Sequence, residues 1–151
     1  ATVAAGEGAA VAILNRNEPA FYCVPASVYE EMLERLEDIE LNAIADARQG
    51  GTIIRVKPSD YELAFHELAL KEWRKLDPNT RSQFRKKLLE RCENPRIPSA
   101  RLSGHPDRYK IKLRTVGYRL VYEVRDQEIL IVVIAVGRRS GNEVYRRMAD
   151  R

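Results

Sequence analysis

Seven residues in the second half of this chain have the types and spacing for chemistry on a phosphodiester: Lys110, Lys112, Arg114, Arg119, Arg138, Arg139 and Tyr145. In the run YKIKLR (residues 109–114), strand alternation places Lys110, Lys112 and Arg114 on one face and Tyr109, Ile111 and Leu113 on the other. Arg119 stands on the next β-prone run, and Arg138 and Arg139 close a third. Side by side, such strands would present a concave face of fixed cations. A polyanion suits that face, because each phosphate contact releases counterions. A lysine-rich sheet face turned to solvent is the plainer reading of the same pattern.

The other available groups narrow the mechanism. The chain has only two histidines, His66 at a helix start and His105 in a Gly-Pro turn, so both read as surface or capping residues and a paired-histidine acid–base site is not expected. Glu123, Asp126 and Glu128 surround one hairpin turn, where solubility accounts for them, and Cys23 and Cys92 lack metal-ligand spacing. No metal or other cofactor is expected. That leaves lysine, arginine and Tyr145. A phenol is a weak base near neutrality, but clustered cations would stabilise its phenolate. Such a site could cleave RNA through the substrate's own 2′-hydroxyl, with tyrosine taking the proton and cations holding the phosphorane. DNA lacks that nucleophile. Tyr145 could equally do no more than pack a terminal helix.

The elements that must position these residues fall into two pieces of opposite charge. The net charge of +4 divides into −5 for residues 1–60 and +9 for residues 61–151. An acidic piece followed by a basic one suggests partners of opposite sign, and the basic piece has the footprint of a nucleic-acid binder. In the first piece, β-prone runs at residues 11–14 and 21–24 flank an Asn-rich turn and predict a hairpin. Ser27 and Glu30 have capping-box spacing ahead of an amphipathic helix over Val28–Gln49, stopped by Gly50 and Gly51. Its apolar stripe, including Leu33, Leu36, Ile39 and Ile44, needs a partner surface, since propensity alone does not hold such a helix. Residues 52–57 are β-prone and bring in Ile53, Ile54 and Val56.

The second piece reads β-α-α-β-β-β-α: a strand at 61–65, two basic helices, a meander of strands at 108–114, 118–125 and 128–137, and a short helix over 142–149. Arg74, Lys75, Arg85, Lys86 and Lys87 line the outer sides of the two helices and, with Arg114 and Arg138, are candidate contacts to RNA or a ribosome. The expected class is α+β, a mostly antiparallel sheet with two helices on one face, plus the N-terminal hairpin and long helix. No apolar run reaches the ~18 residues of a membrane span, and no basic-then-apolar leader is evident, so a cytoplasmic protein is expected.

The blocks ALKEWRKL, YKIKLR-x-x-GYRLVY and VGRR…EVY, in that order, resemble the RelE toxin family, in particular its StbE-like plasmid-stabilisation members. The likeness covers residues 61–151. It implies a RelE-like fold and a metal-independent, ribosome-dependent endoribonuclease (an mRNA interferase) that cuts messenger RNA. It also implies roles: Tyr145, Lys110 and Lys112 as base and charge-stabilising groups, Arg119 on the phosphate, and Arg139 on the phosphate or the leaving group. An absent strong base fits ribosome dependence, with the ribosome supplying the positioning.

The stretch from Val11 to Gly51 resembles the Phd/YefM antitoxin family in its StbD-like branch. The family's opening strand and helix, which help form its DNA-binding dimer, do not precede Ala1, and this leaves operator binding open. The resemblances divide the chain into 1–57, a partial antitoxin segment, and 58–151, the toxin. The partners they imply are mRNA on the ribosome, the antitoxin segment in cis and a homodimer through that segment, with no membrane. Leu33, Leu36, Ile39, Ile44, Ile53, Ile54 and Val56 are the expected masking residues. Two readings follow: a latent mRNA endonuclease, or a toxin–antitoxin assembly acting mainly as an operator-binding repressor.

Overall fold

The computed structural model describes residues 8–56 and 61–138. The expected C-terminal helix, with Arg139 and Tyr145, lies outside the described residues, as do residues 57–60 around the expected domain junction. The chain divides into two compact units, Ala1–Leu36 and Glu37–Arg151. This division by packing falls inside the long helix, 21 residues ahead of the 57/58 division by likeness.

The first unit contains the expected hairpin, β1 (Val11–Asn15) and β2 (Glu18–Cys23), paired antiparallel. Its two turn residues, Arg16 and Asn17, both have positive φ, 54° and 66°. A two-residue hairpin turn needs that geometry to match the strand twist, and asparagine tolerates it well. Helix α1 (Ala26–Ala47) follows, its first backbone bond running from Tyr29 N–H to the Pro25 carbonyl. Ser27 therefore lies inside the first turn. The capping box expected from Ser27 and Glu30 is displaced because the helix starts straight after Pro25.

The second unit takes up α1 from Glu37 onward. It adds β3 (Ile53–Val56), β4 (Glu62–His66), α2 (Glu67–Arg74), α3 (Pro78–Glu93), β5 (Arg108–Leu113), β6 (Tyr118–Arg125) and β7 (Leu130–Arg138). The sheet order is β3-β4-β7-β6-β5; β4 and β7 run parallel and every other pair is antiparallel. The β-prone run after Gly51 is thus an edge strand of this sheet. Strand β7 is buried from Leu130 to Val136, as a central strand covered on both faces must be. It starts two residues later than its sequence suggests, because Asp126–Glu128 wind a 3-10 turn that leaves Ile129 left-handed at φ 49°.

Each face has its own cover. On one side α2 and α3 bring Ala69, Phe84, Leu88 and Cys92 against Tyr109, Ile111, Tyr122 and Ile131. The sequence explains the helices: the His66 ring accepts the Leu68 N–H to start α2, and Asp77 accepts the Thr80 N–H and hydroxyl to start α3, with Pro78 in its first turn. On the other side, Ala45 of α1 packs with Ala64, Leu130, Val132 and Ile134. The two expected helices share one face, and the second half of α1 lies on the other.

Candidate nucleic-acid interface

Strand alternation explains which side chains face α1. Tyr109, Ile111 and Leu113 enter the core under α2 and α3. Arg108, Lys110 and Lys112 alternate with them and point to the opposite face. Lys112 is directly opposite Arg119 across the β5–β6 ladder, and Arg119 is opposite Gly137 on β7, next to Arg138. The register therefore gathers Lys112 and Arg119 at one corner, with Lys110 and then Arg108 following along β5, each about 6.8 Å from the last at strand rise.

These cations meet carboxylates of α1. Lys110, 5% exposed, donates from Nζ to Asp38 Oδ1 at 2.6 Å. The other oxygen of Asp38 accepts the Ser103 backbone N–H at 3.0 Å. Arg119, also 5% exposed, pairs with Glu37 through Nε at 2.6 Å, and its Nη1 donates to the Tyr118 carbonyl. Arg108, 1% exposed, sits 2.7 Å from Asp46 and donates to the backbone and side-chain oxygens of Asn42. Lys112 is half-buried beside them. About two and a half helix turns thus supply Glu37, Asp38, Asn42 and Asp46 to one row of cations.

A second set of bonds fixes the end of α1. Arg48 grips both oxygens of Glu72, at 2.7 and 3.1 Å, and donates to the Ile134 carbonyl. Glu72 in turn accepts the Val136 N–H. Beyond Arg48, a Cβ on Gly51 would stand 2.2 Å from His66 Nε2, so only glycine lets the chain pass this ring. His66 is buried there, and desolvation, then the neighbouring Arg48 charge, holds its pKa below the usual histidine value.

The contact differs from the one the apolar pattern suggests. Leu36, Ile39 and Ile44 are exposed and Leu33 is half-buried, whereas Glu37 and Asp38 are buried. Ile54 and Val56 are likewise exposed on β3, and only Ile53 of the three joins the core. The physical reason is the opposing surface: a face that carries buried cations must be met by carboxylates, since unpaired charge in that position is costly.

The candidate RNA contacts also separate. Arg74, Lys75, Arg85, Lys86 and Lys87 are exposed on the α2–α3 side of the sheet, away from Lys110 and Arg119. They cannot share one phosphate site with those residues. Arg114 is exposed at the β5–β6 turn, and Arg138 lies over the Tyr118 ring, 5.5 Å from its centre. Arg108 is the residue that sequence reasoning passed over, although its place two before Lys110 was a usable signal.

Two of the three acidic residues around the β6–β7 turn, Glu123 and Asp126, are engaged in ion pairs. Glu123 meets Arg108 at 3.5 Å and Arg125 at 3.0 Å, and Arg96 bridges Asp107 and Asp126. The Arg96 guanidinium holds the Asp126 carboxyl below the usual range. Among the described residues, no three His, Cys, Asp or Glu side chains are grouped so as to hold a metal ion. No described helix is long and apolar enough to cross a membrane.

Known proteins resemble the second piece of this chain. The ParE toxin family of type II toxin–antitoxin systems (parDE) matches residues 63–143. The mRNA interferase toxin RelE of Escherichia coli K12 is 54% identical over 91 residues, 60% of this chain and 96% of that protein. The mRNA interferase RelE of Shigella flexneri matches equally well. Among solved structures, the isolated E. coli RelE toxin superposes with a TM-score of 0.54 at 50% identity, covering 61% of this chain and 97% of that one. RelE bound to a peptide of the antitoxin RelB gives 0.55 at 52% identity, covering 60% and 95%. Its second piece being a RelE-like toxin over nearly the full length of these relatives, the chain belongs to the ParE/RelE family of toxin–antitoxin toxins.

Proposed function

We propose that residues 58–151 are a metal-independent mRNA endoribonuclease acting on the ribosome, and that the antitoxin-like segment before them keeps it latent. The observation that carries this reading is the pairing of Glu37 with Arg119 and Asp38 with Lys110. The candidate phosphate-holding cations are covered by acidic groups from the same chain. Relatives named mRNA interferases, and a RelE structure holding an antitoxin peptide, support the two halves of the reading.

In this mechanism the RNA 2′-hydroxyl attacks its own phosphorus. Arg119 and Lys112, side by side across the ladder, neutralise the non-bridging oxygens as charge builds. Lys110 stabilises the charge from the next position on β5, Tyr145 accepts the 2′ proton, and Arg139 assists the departing oxygen. The ribosome holds the scissile bond in line, which offsets the lack of a strong base. Exposed Arg74, Lys75, Arg85, Lys86 and Lys87 contact ribosomal RNA from the far side of the sheet. The apolar side chains exposed in the first unit, such as Phe21, Tyr22 and Met32, form the homodimer contact.

Primer extension on a message under translation tests both halves. Residues 61–151 are expected to cut it, the full chain to leave it intact, and Lys112→Ala to abolish cutting. Equal cleavage by the full chain and the fragment refutes latency. No cleavage by either refutes the nuclease.

A further inference from the structure

We propose that Arg108, with the Ser103 backbone N–H, forms a further phosphate-binding subsite beside Lys110, which the α1 carboxylates fill while the helix is seated. The inference rests on the reading of this face as an RNA site and extends it by one phosphate along β5.

Three observations support it. First, Arg108 continues the row of Lys112 and Lys110 on the same face of the same strand. A single strand laid along β5 to reach Lys112 and Lys110 brings its next phosphate to Arg108. Second, the groups bound there are anionic or carbonyl oxygens arranged as a phosphate would offer them. Asp38 bridges Lys110 Nζ at 2.6 Å and Ser103 N–H at 3.0 Å with its two oxygens. Asp46 and Asn42 present three further oxygens to Arg108 Nη1, at 2.7, 3.2 and 3.3 Å. The Asp38 carboxylate bridging an ammonium and an amide stands in for two phosphate oxygens, and a guanidinium fork fits a phosphate equally well.

Third, one contact of Arg108 is independent of α1. Its Nε lies 3.5 Å from Glu123, the residue opposite it on β6, and that contact does not involve the helix. Glu123 also binds Arg125 at 3.0 Å, so two arginines share one carboxylate and the cluster keeps a net positive charge. A buried arginine contributes little to stability compared with an apolar side chain of the same volume. The charge at this position is therefore explained by an anion.

The test uses the full chain unmasked by Glu37→Gln, Asp38→Asn and Asp46→Asn, with a short fluorescent oligoadenylate as probe. Anisotropy is measured across a salt series, and melting curves establish that each variant is folded. Adding Arg108→Gln is expected to weaken binding roughly five- to tenfold and to flatten the salt dependence by about 0.7 in log–log slope, the share of one single-strand phosphate. Arg108→Lys, which keeps the charge, is expected to hold the slope while losing part of the affinity. Should the glutamine variant not fold, the affinity of Arg108→Lys is the reading, and an unchanged value overturns the subsite. A purely structural Arg108 would leave the slope unmoved in both variants while Lys110→Met still lowers it, and that result overturns the subsite alone. If Lys110→Met also leaves binding unchanged, the face is not an anion site and both readings fall.

Discussion

Removing the Asp38 carboxylate by Asp38→Ala strikes the most deeply buried charge pair between α1 and the sheet. Lys110 and Asp38 retain side-chain exposures of 5% and 7%, and their contact is 2.6 Å. Truncating one partner of such a pair costs about 3–5 kcal/mol, because the other charge is left without compensation. The Ser103 N–H also loses its acceptor, which adds no more than ~1–3 kcal/mol and shares part of the first cost. The expected loss is therefore about 3–5 kcal/mol in unfolding free energy, or on the order of 10 °C in Tm for a chain of this size. A less costly escape is for the second half of α1 to detach and let water reach Lys110. That route appears as faster amide exchange over residues 37–47 and as message cleavage by the full chain. The double variant Asp38→Leu with Lys110→Met removes both charges and should recover most of the stability. Urea denaturation of the wild type, both single variants and the double closes a cycle, with an expected coupling of at least ~2 kcal/mol. A cost below ~0.5 kcal/mol for Asp38→Ala, with unchanged exchange and no cleavage, refutes the reasoning.

Three further outcomes follow from neighbouring contacts. Arg48→Ala removes the fork on Glu72 and the bond to the Ile134 carbonyl; a loss of about 2–3 kcal/mol is expected in denaturation, with faster exchange of the Val136 amide. Gly51→Ala places a methyl 2.2 Å from His66 Nε2 and 3.1 Å from the Arg48 carbonyl; it should cost about 1–3 kcal/mol by overpacking, partly relieved by His66→Ala. Because the His66 pKa is lowered in the folded protein, the unfolded chain binds the extra proton first. Stability is accordingly full above the unfolded value of ~6.5 and declines as pH falls below it. Urea midpoints between roughly pH 8 and 5 should show that decline, and His66→Asn should flatten it.

Much of the framework was legible because it is encoded locally. Period-two alternation in YKIKLR separates Lys110 and Lys112 from Tyr109 and Ile111, and the unbroken apolar run of β7 announces a doubly covered strand. Asp77-Pro78 marks the start of α3 for the same reason: the cap and its helix are neighbours. The face of α1 that meets the sheet was not legible. An apolar stripe is the strongest periodic signal in that helix, and acidic positions default to solvent in any such reading. Yet Asp38 and Lys110 are 72 residues apart, and no local pattern ties a carboxylate to so distant a cation. The opposed charges of the two pieces were the only trace of it. Pooling basic residues by composition failed for a related reason. Lys86 and Lys110 have the same charge, but the topology sets them on opposite sides of the sheet.

The chemistry of the face also explains why its cover is ionic. An apolar seal over β5 and β6 would call for apolar residues at positions 108, 110 and 119, and that change would delete the cations that the proposed mechanism and subsite use on phosphates. With those cations kept, a cover lacking carboxylates would strand them in low dielectric at several kcal/mol each. Glu37, Asp38 and Asp46 are thus dictated by what lies beneath them. A buried ion pair gives little net stability over an apolar contact of equal size, so such a cover neutralises strongly while holding moderately. The hold is supplied elsewhere, by Arg48 on Glu72 and by Ala45 in the apolar patch with Val132 and Ile134. Neutralisation and grip are therefore separable: variants at Arg48 should loosen the helix with its charges intact, and variants at Glu37 or Asp38 should expose the cations with the latch in place.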